Sequence, residues 1–190
     1  MAHISIIGTG NMGQAIAAVA GRGGHTVTLI GKDDADARLG DVVVLAVPYP
    51  ALADIVASRG AELAGRIVVD ITNPVDFATF DSLTVAADGS AAAELAAALP
   101  ESRVLKAFNT NFAGTLAAGT VGALTTTVLI AGDDADAKTT LAGIVAAGGL
   151  KAIDAGSLRR ARELEALGFL QITLAAGEKI SWTGGFGVIA

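Results

Sequence analysis

The sequence predicts an α/β fold: a doubly wound, mostly parallel sheet of about seven strands, with helices on both faces. Three observations carry that expectation. The chain opens on an apolar β-branched run, a glycine-rich turn and a helix-forming run in immediate succession. Apolar runs of strand length then alternate with alanine-rich helical stretches, and most of the runs are stopped by Pro, Asn or Gly.

The first run, His3-Ile4-Ser5-Ile6-Ile7, leads into Gly8-Thr9-Gly10-Asn11-Met12-Gly13 and then Gln14-Ala15-Ile16-Ala17-Ala18-Val19-Ala20. Strand, G-x-G-x-x-G turn and helix in that order form the dinucleotide-binding fingerprint of the Rossmann fold. Gly8 is expected to make the turn, Gly10 to let the backbone approach a pyrophosphate, and Gly13 to pack the helix close to the strand. The diphosphate would sit on the helix N-terminus, where unpaired N–H groups and the helix dipole favour negative charge. A ligand-free glycine turn is the alternative; the flanking strand and helix favour binding.

Gly21-Arg22-Gly23-Gly24 is expected to end this helix, and residues 25–30 form the second strand. An NAD site places a carboxylate about twenty residues past the fingerprint on the ribose 2′-hydroxyl, whereas an NADP site has a basic residue for the 2′-phosphate. Here the strand runs into Gly31-Lys32, which favours NADP. Asp33-Asp34 follow at once and could swing in to serve the 2′-hydroxyl of NAD instead.

Only residues 33–40 separate this strand from the apolar run 42–47. The helix and outer strand that normally fill this interval are therefore expected to be missing or reduced to a turn, so the fold is shortened after the second strand, which becomes the sheet edge. Residues 42–47 are apolar on both faces, as a central parallel strand should be, and Pro48-Tyr49-Pro50 stops them. There follow a helix at 51–58, a strand at 66–72 stopped by Asn73-Pro74, a polar loop at 75–89 and an alanine-rich helix at 90–99. A strand at 103–108 ends in Asn109-Thr110-Asn111; a sixth strand at 125–131, a helix at 133–147 and a seventh strand at 150–154 complete the pattern. The pentamer Asp-Asp-Ala-Asp-Ala, at 33–37 and again at 133–137, reads as helix-start chemistry used twice. Ligands of such sheets bind at the carboxyl ends of the strands, so Gly10, Lys32, Val47-Pro48, Thr72-Asn73 and Asn109 should share one crevice.

At 190 residues the chain fits a single domain, residues 1–190, with the last helix and tail at 156–190. A hydrophobic fraction of 52% with 24 glycines and 4 prolines excludes disorder. Absence of cysteine removes disulfides, thiolate zinc sites and cysteine nucleophiles, and agrees with a cytoplasmic location. No metal site is expected. A net charge of −6 without a block of Lys or Arg gives nucleic acid or an anionic membrane nothing to bind. The chain enters a strand directly, so no leader is expected. No charge occurs between Lys106 and Asp133, but glycines, asparagines and Thr125-Thr126-Thr127 interrupt that stretch, which should fold as loop, short helix and strand rather than span a membrane.

The motifs resemble those of the NADP oxidoreductases dependent on the deazaflavin coenzyme F-420, within the 6-phosphogluconate dehydrogenase-like Rossmann proteins. Ile7-Gly8-Thr9-Gly10-Asn11-Met12-Gly13, Ala46-Val47-Pro48-Tyr49, Val68-Val69-Asp70-Ile71-Thr72-Asn73-Pro74 and Lys106-Ala107-Phe108-Asn109-Thr110 carry the resemblance. Gly156-Ser157-Leu158 and Ala161-Arg162-Glu163-Leu164-Glu165 extend it over nearly the whole chain. The cytosolic domains of six-transmembrane metalloreductases, which pass hydride from NADPH to a flavin, are similar in the same motifs. The resemblance implies that Thr9, Gly10, Asn11 and Met12 hold the pyrophosphate and Lys32 the 2′-phosphate. Pro48 and Tyr49, next to Ala46 and Val47, would border the ribose, while Thr72, Asn73, Pro74, Ala107 and Asn109 would surround the nicotinamide. The interval after the second strand and the tail 178–190 depart from that family's pattern.

Hydride transfer between a nicotinamide and a flavin-like ring needs stacking and distance control more than a strong base, because the two rings carry the chemistry. The strand-end residues fit this: they are amides, a proline and small side chains, and no catalytic residue stands out. His3 and His25 begin strands, on the wrong end of the sheet for catalysis, so structural roles are expected. Tyr49 could donate a proton, although packing against the ribose suits it better; Asp70 reads as a buried, hydrogen-bonded structural acid. The function expected is an NADP(H)-dependent oxidoreductase with a small redox acceptor, a flavin or deazaflavin. A non-enzymatic NADP(H)-binding sensor and a reductase of a small imine or carbonyl are the alternatives, and the lack of a separate helical substrate domain counts against the latter. The helix at 166–176 carries Leu167, Phe169, Leu170, Ile172 and Leu174 around more than one face, which predicts a homodimer through it. Trp182 and Phe186 in the tail either pack on the core or wall an acceptor pocket beside Phe108 and Asn109.

Overall fold

The structure, a computed structural model, describes residues 1–189; Ala190, the end of the tail, lies outside the described residues. Its main sheet has seven strands in the order β2-β1-β3-β4-β5-β8-β9. These are β1 (His3–Ile7), β2 (Thr26–Ile30), β3 (Val42–Leu45), β4 (Ile67–Asp70), β5 (Arg103–Lys106), β8 (Thr127–Gly132) and β9 (Lys151–Gly156). A separate hairpin pairs β6 (Thr120–Val121) with β7 (Leu124–Thr125). The helices are α1 (Asn11–Arg22), α2 (Leu52–Leu63), α3 (Ala91–Ala98), α4 (Ala113–Ala118), α5 (Ala135–Ala147) and α6 (Ala161–Ala176).

The strand run of β-branched residues is buried from both sides, and its period of two divides it between two cores. Ile4, Ile6, Val42, Val44, Ile67, Val69 and Leu105 face Ile16 and Val19 of α1, Leu116 of α4 and Leu141 and Ile144 of α5. Val43, Leu45, Val68 and Val104 face Leu52 and Leu63 of α2, Ala92 and Leu95 of α3 and Ala161 of α6. The same alternation sends Asp70 of β4 and Lys106 of β5, which are partners in register, to the α3/α6 side. Both arrive there fully buried.

β2 is the sheet edge, as the short interval after it predicts, and the strand order reverses at β1. That reversal is the topological switch point where doubly wound sheets bind ligands. Because β1 to β5 are parallel, Gly10, Lys32, Val47, Thr72-Asn73 and Asn109 all follow carboxyl ends and lie along one crest.

One expectation is corrected. The pentamer at 133–137 does start a helix, with the Asp134 carboxylate accepting from Ala137 N–H at 2.7 Å, but 33–37 forms only turns. There the Asp34 carboxylate accepts from Gly31 N–H at 2.8 Å, and Gly40 is wedged where a Cβ would lie 2.2 Å from the His3 carbonyl, so too little chain remains for a helical crossover. The sheet is mostly parallel, as expected: within it only the β5–β8 pairing is antiparallel, and β9 is parallel to β8. The unforeseen β6–β7 hairpin reverses the chain there, with Gly119 and Gly122 in the left-handed region at φ 75° and 58°. The run Gly21-Arg22-Gly23-Gly24 ends α1 as expected: the helix continues through Gly21 to Arg22, Gly23 is its C-cap and Gly24 at φ 77° makes the turn. The strands at 42–47, 66–72 and 103–108 are also shorter than the apolar runs, because their last residues leave the ladder to form the crest.

Candidate cofactor site

The three fingerprint glycines occupy three different environments. Gly8, at φ 119°, turns β1 toward α1, and a Cβ there would lie 2.1 Å from the Ala46 carbonyl oxygen. A Cβ on Gly13 would lie 2.1 Å from the Gly8 carbonyl oxygen. On Gly10 it would meet nothing within 4 Å. Two glycines are thus required by packing, and the third faces an open cradle. Gly10 is the N-cap of α1, so no side chain caps this helix, and its first-turn N–H groups point into the same space. That arrangement fits a diphosphate.

Next along the crest, Gly31 lies beside the fingerprint: a Cβ on it would sit 3.7 Å from the Thr9 side chain. Lys32 is exposed and makes no ion pair among the described residues. The carboxylate of Asp34 folds back to the Gly31 N–H, 3.3 Å from where a side chain at 31 would begin. The cation and the acid weighed against each other from sequence therefore both stand just past the end of β2, beside the fingerprint turn.

After β3, Ala46 and Val47 are half-buried and Pro48 is exposed. Tyr49 donates its hydroxyl to Glu94 of α3 at 2.5 Å. The hydrogen bond to Glu94, with burial adding to it, pushes the phenol up to about 12, so it stays protonated. This pair stands at the mouth of an apolar groove of about 430 Å³ between α2 and α3, lined by Leu52, Ala53, Val56 and Leu95.

Polar side chains crowd the ends of β4 and β5. Asn73 Nδ2 donates to the Asn109 backbone carbonyl at 2.8 Å, and Asn109 Nδ2 donates to Asn73 Oδ1 at 2.9 Å and to the Leu164 carbonyl of α6 at 2.8 Å. Both protons of the Asn109 amide are thereby committed, which fixes its orientation. Asn109 Oδ1 and Thr72 Oγ1 are buried without a partner among the described residues. Pro74 and Ala107 are buried. Gly168 lets α6 sit against this corner, since a Cβ there would lie 2.4 Å from Asn73 Oδ1.

Beneath the corner lies a group of charges that sequence reasoning missed. Lys106 Nζ pairs with Asp70 Oδ2 at 2.8 Å and Glu165 Oε1 at 2.7 Å, and donates to the Thr72 carbonyl at 2.5 Å. Asp70 Oδ1 accepts from Thr72 N–H at 2.8 Å, and Glu165 Oε2 from Ala91 N–H, at the start of α3, at 3.0 Å. Burial drives the Glu165 carboxyl upward, opposed by the Lys106 charge and hydrogen bonds. Asp70 is the structural acid expected; the signal for its partner was a lone Lys in the equally apolar run of β5.

Aromatic residues occupy the loop after Pro74 and the tail. The loop after Pro74 carries Phe77 and Phe80, edge to face at 5.5 Å, with Phe77 61% exposed. In the tail, Trp182 packs on Phe112 with ring centroids 5.0 Å apart, and Phe186 N–H donates to Gln171, whose amide donates in turn to the Thr110 carbonyl. Trp182 remains 55% exposed. Phe108 does not join them: its ring belongs to the core under α1 and α5. The histidines have structural roles, His3 bonding Thr28 at 2.8 Å and His25 accepting from Ala2 N–H at 3.2 Å. Among the described residues no cluster of metal ligands occurs, and no helix is long and apolar enough to cross a membrane.

The chain is similar in sequence and fold to known oxidoreductases. Residues 32–74 match the family model described as NADP oxidoreductase, coenzyme F420-dependent. The chain is 32% identical over 166 residues to the F420-dependent NADP reductase of Methanocaldococcus jannaschii, covering 85% of this chain and 74% of that protein. The metalloreductase STEAP3 of Rattus norvegicus is 38% identical over 110 residues, 58% of this chain but only 21% of that protein. Among solved structures, a candidate F420-dependent NADP reductase from Arthrobacter sp. FB24 superposes over the full length of both chains with a TM-score of 0.88 at 26% identity. An imine reductase of Streptomyces aurantiacus, at 19% identity and a TM-score of 0.63, shares the fold, and the chain covers 63% of its length. On the extent of the match to the M. jannaschii enzyme, this chain belongs to the family of coenzyme F420-dependent NADP oxidoreductases.

Proposed function

We propose that the protein, as one 190-residue domain, binds NADP(H) along the crest and passes hydride between it and a small redox-active ring, a flavin or deazaflavin. The observation that carries the reading is the contrast among the fingerprint glycines: Gly8 and Gly13 are closed by backbone, and Gly10 opens onto the N-terminus of α1. Gly8, Thr9, Gly10, Asn11, Met12 and Gly13 then form the pyrophosphate cradle and Lys32 faces the 2′-phosphate. Ala46, Val47 and Pro48 border the ribose, with Tyr49 behind them, and Thr72, Asn73, Pro74, Ala107 and Asn109 form the nicotinamide corner. The unpaired Thr72 hydroxyl and Asn109 carbonyl oxygen suit a carboxamide, which carries both donor and acceptor.

The bound cofactor supplies the hydride, and the chain contributes position and environment. Strand ends fix the ring, α1 holds the diphosphate, and the exposed rings of Phe77, in the loop after Pro74, and Trp182, in the tail, offer flat apolar faces to an acceptor of the same shape. The test is NADPH oxidation followed at the nicotinamide absorbance with a flavin, a deazaflavin and a ferric chelate as acceptors. Turnover with a ring acceptor is expected. Binding without turnover on any of them leaves a cofactor sensor, and absence of NADPH binding overturns the reading.

We also propose a cytoplasmic homodimer formed through α6. Its buried stripe is Ala161, Leu164, Glu165, Gly168, Gln171 and Ala175, largely small and polar, whereas Leu170 is 49% exposed and Leu167, Phe169, Ile172 and Leu174 are only half-buried. A second copy of the same helix would cover them. A monomeric mass in sedimentation at micromolar concentration contradicts this contact.

A further inference from the structure

We infer that the buried Asp70–Lys106–Glu165 triad is the positioning device for the nicotinamide end of the cofactor site, an inference that rests on the cofactor reading above. Its three members come from β4, β5 and α6, and each is buried to within 1%. Charges are this deeply buried only where their partners compensate them, and a hydrophobic trio of the same volume would serve stability as well. What the ions add is direction.

Thr72 receives that direction. Its carbonyl accepts from Lys106 Nζ and its N–H donates to Asp70 Oδ1, so both backbone groups of one residue are held by the triad. Its hydroxyl is the one polar group of Thr72 left without a partner, and it is buried at the crest. One residue on, Asn73 is bound reciprocally to Asn109. Glu165 does the corresponding work on α6: it ties that helix to Lys106 and to the first N–H groups of α3. This sets the register at which Leu164 accepts from Asn109 and Gly168 abuts Asn73. The triad touches none of the residues of the pyrophosphate cradle, so its influence is confined to one end of the cofactor.

That confinement supplies the test, which reads binding rather than turnover. Asp70→Asn, Lys106→Met and Glu165→Gln combined remove all three charges while keeping volume. NADPH and adenosine 2′,5′-bisphosphate, which keeps the adenosine, the 2′-phosphate and the adenosine-side phosphate of the diphosphate but has no nicotinamide, are titrated against the wild type and this variant, with thermal melting in parallel. The variant should lose about tenfold in NADPH affinity, the scale set by a small misplacement of contacting groups, and stay within about twofold for the bisphosphate. Equal losses for the two ligands make the triad merely structural and overturn the inference, as does an unchanged NADPH titration. If the triple variant melts below the assay temperature, Asp70→Asn alone, which keeps an acceptor for Thr72 N–H, carries the same comparison with the same deciding outcomes. A wild type that binds neither ligand overturns the cofactor reading itself, a result separable from the behaviour of the variants.

Discussion

At the β1 end of the crest the site is built from main chain: Gly10 stands open and the N–H groups of α1 face outward. At the β4–β5 end it is built from side chains, with two reciprocal asparagines over three buried charges drawn from strands and a helix far apart in sequence. A diphosphate asks only for donors and space, which backbone supplies, whereas a ring that must present one face at one distance asks for groups held from several directions. Backbone sites are therefore local in sequence and side-chain sites are not.

Substitutions that separate the two ends sharpen this contrast. The largest effect should come from Lys106→Ala, which strands two carboxylates and leaves a void beneath Thr72; losing one partner of a buried ion pair costs about 3–5 kcal/mol, a large part of an ordinary domain's stability. Denaturant unfolding should show that loss, and a variant as stable as the wild type would mean that the buried ion pairs add nothing to stability. Gly10→Val comes next. Its side chain enters open space, so melting should barely change, while NADPH affinity falls by about two orders of magnitude because the branched chain fills the cradle. An undiminished titration would remove the pyrophosphate from this turn. The smallest effect belongs to Lys32→Ala: an exposed ammonium on a phosphate is worth roughly 1–2 kcal/mol and weakens with salt. NADPH should weaken several-fold more than NADH, and equal losses would hand the adenosine end to Asp34.

What was legible in the sequence follows the same division. The turn, the edge position of β2 and the crest could be read from Gly8 to Gly13, from the short interval 33–40 and from polar stops after apolar runs, because each depends on neighbours in the chain. Asp70 could be read as buried, but its partner stands 36 residues away, and pairing them requires knowing that β4 and β5 are adjacent and in register. Strand direction was equally silent: alternating helices and strands look the same whether β8 runs with β5 or against it. The two copies of Asp-Asp-Ala-Asp-Ala make the point within one chain, since only the copy followed by a long apolar helix face becomes a helix start.

Phe108 is buried to within 1% and sits at φ 62°, between Ala107 at the end of β5 and Asn109 at the corner. A left-handed conformation in so bulky a residue costs on the order of 1 kcal/mol or more, yet it lets the ring enter one core while the next side chain turns toward the opposite face of the sheet. The position resists improvement by any single exchange. Glycine would relax the backbone and leave a ring-sized hole, and leucine would fill part of the hole and keep the strain. Efforts to make this protein more heat-resistant by repairing local backbone geometry should pass this residue by, because here conformational discomfort and core filling are properties of the same side chain.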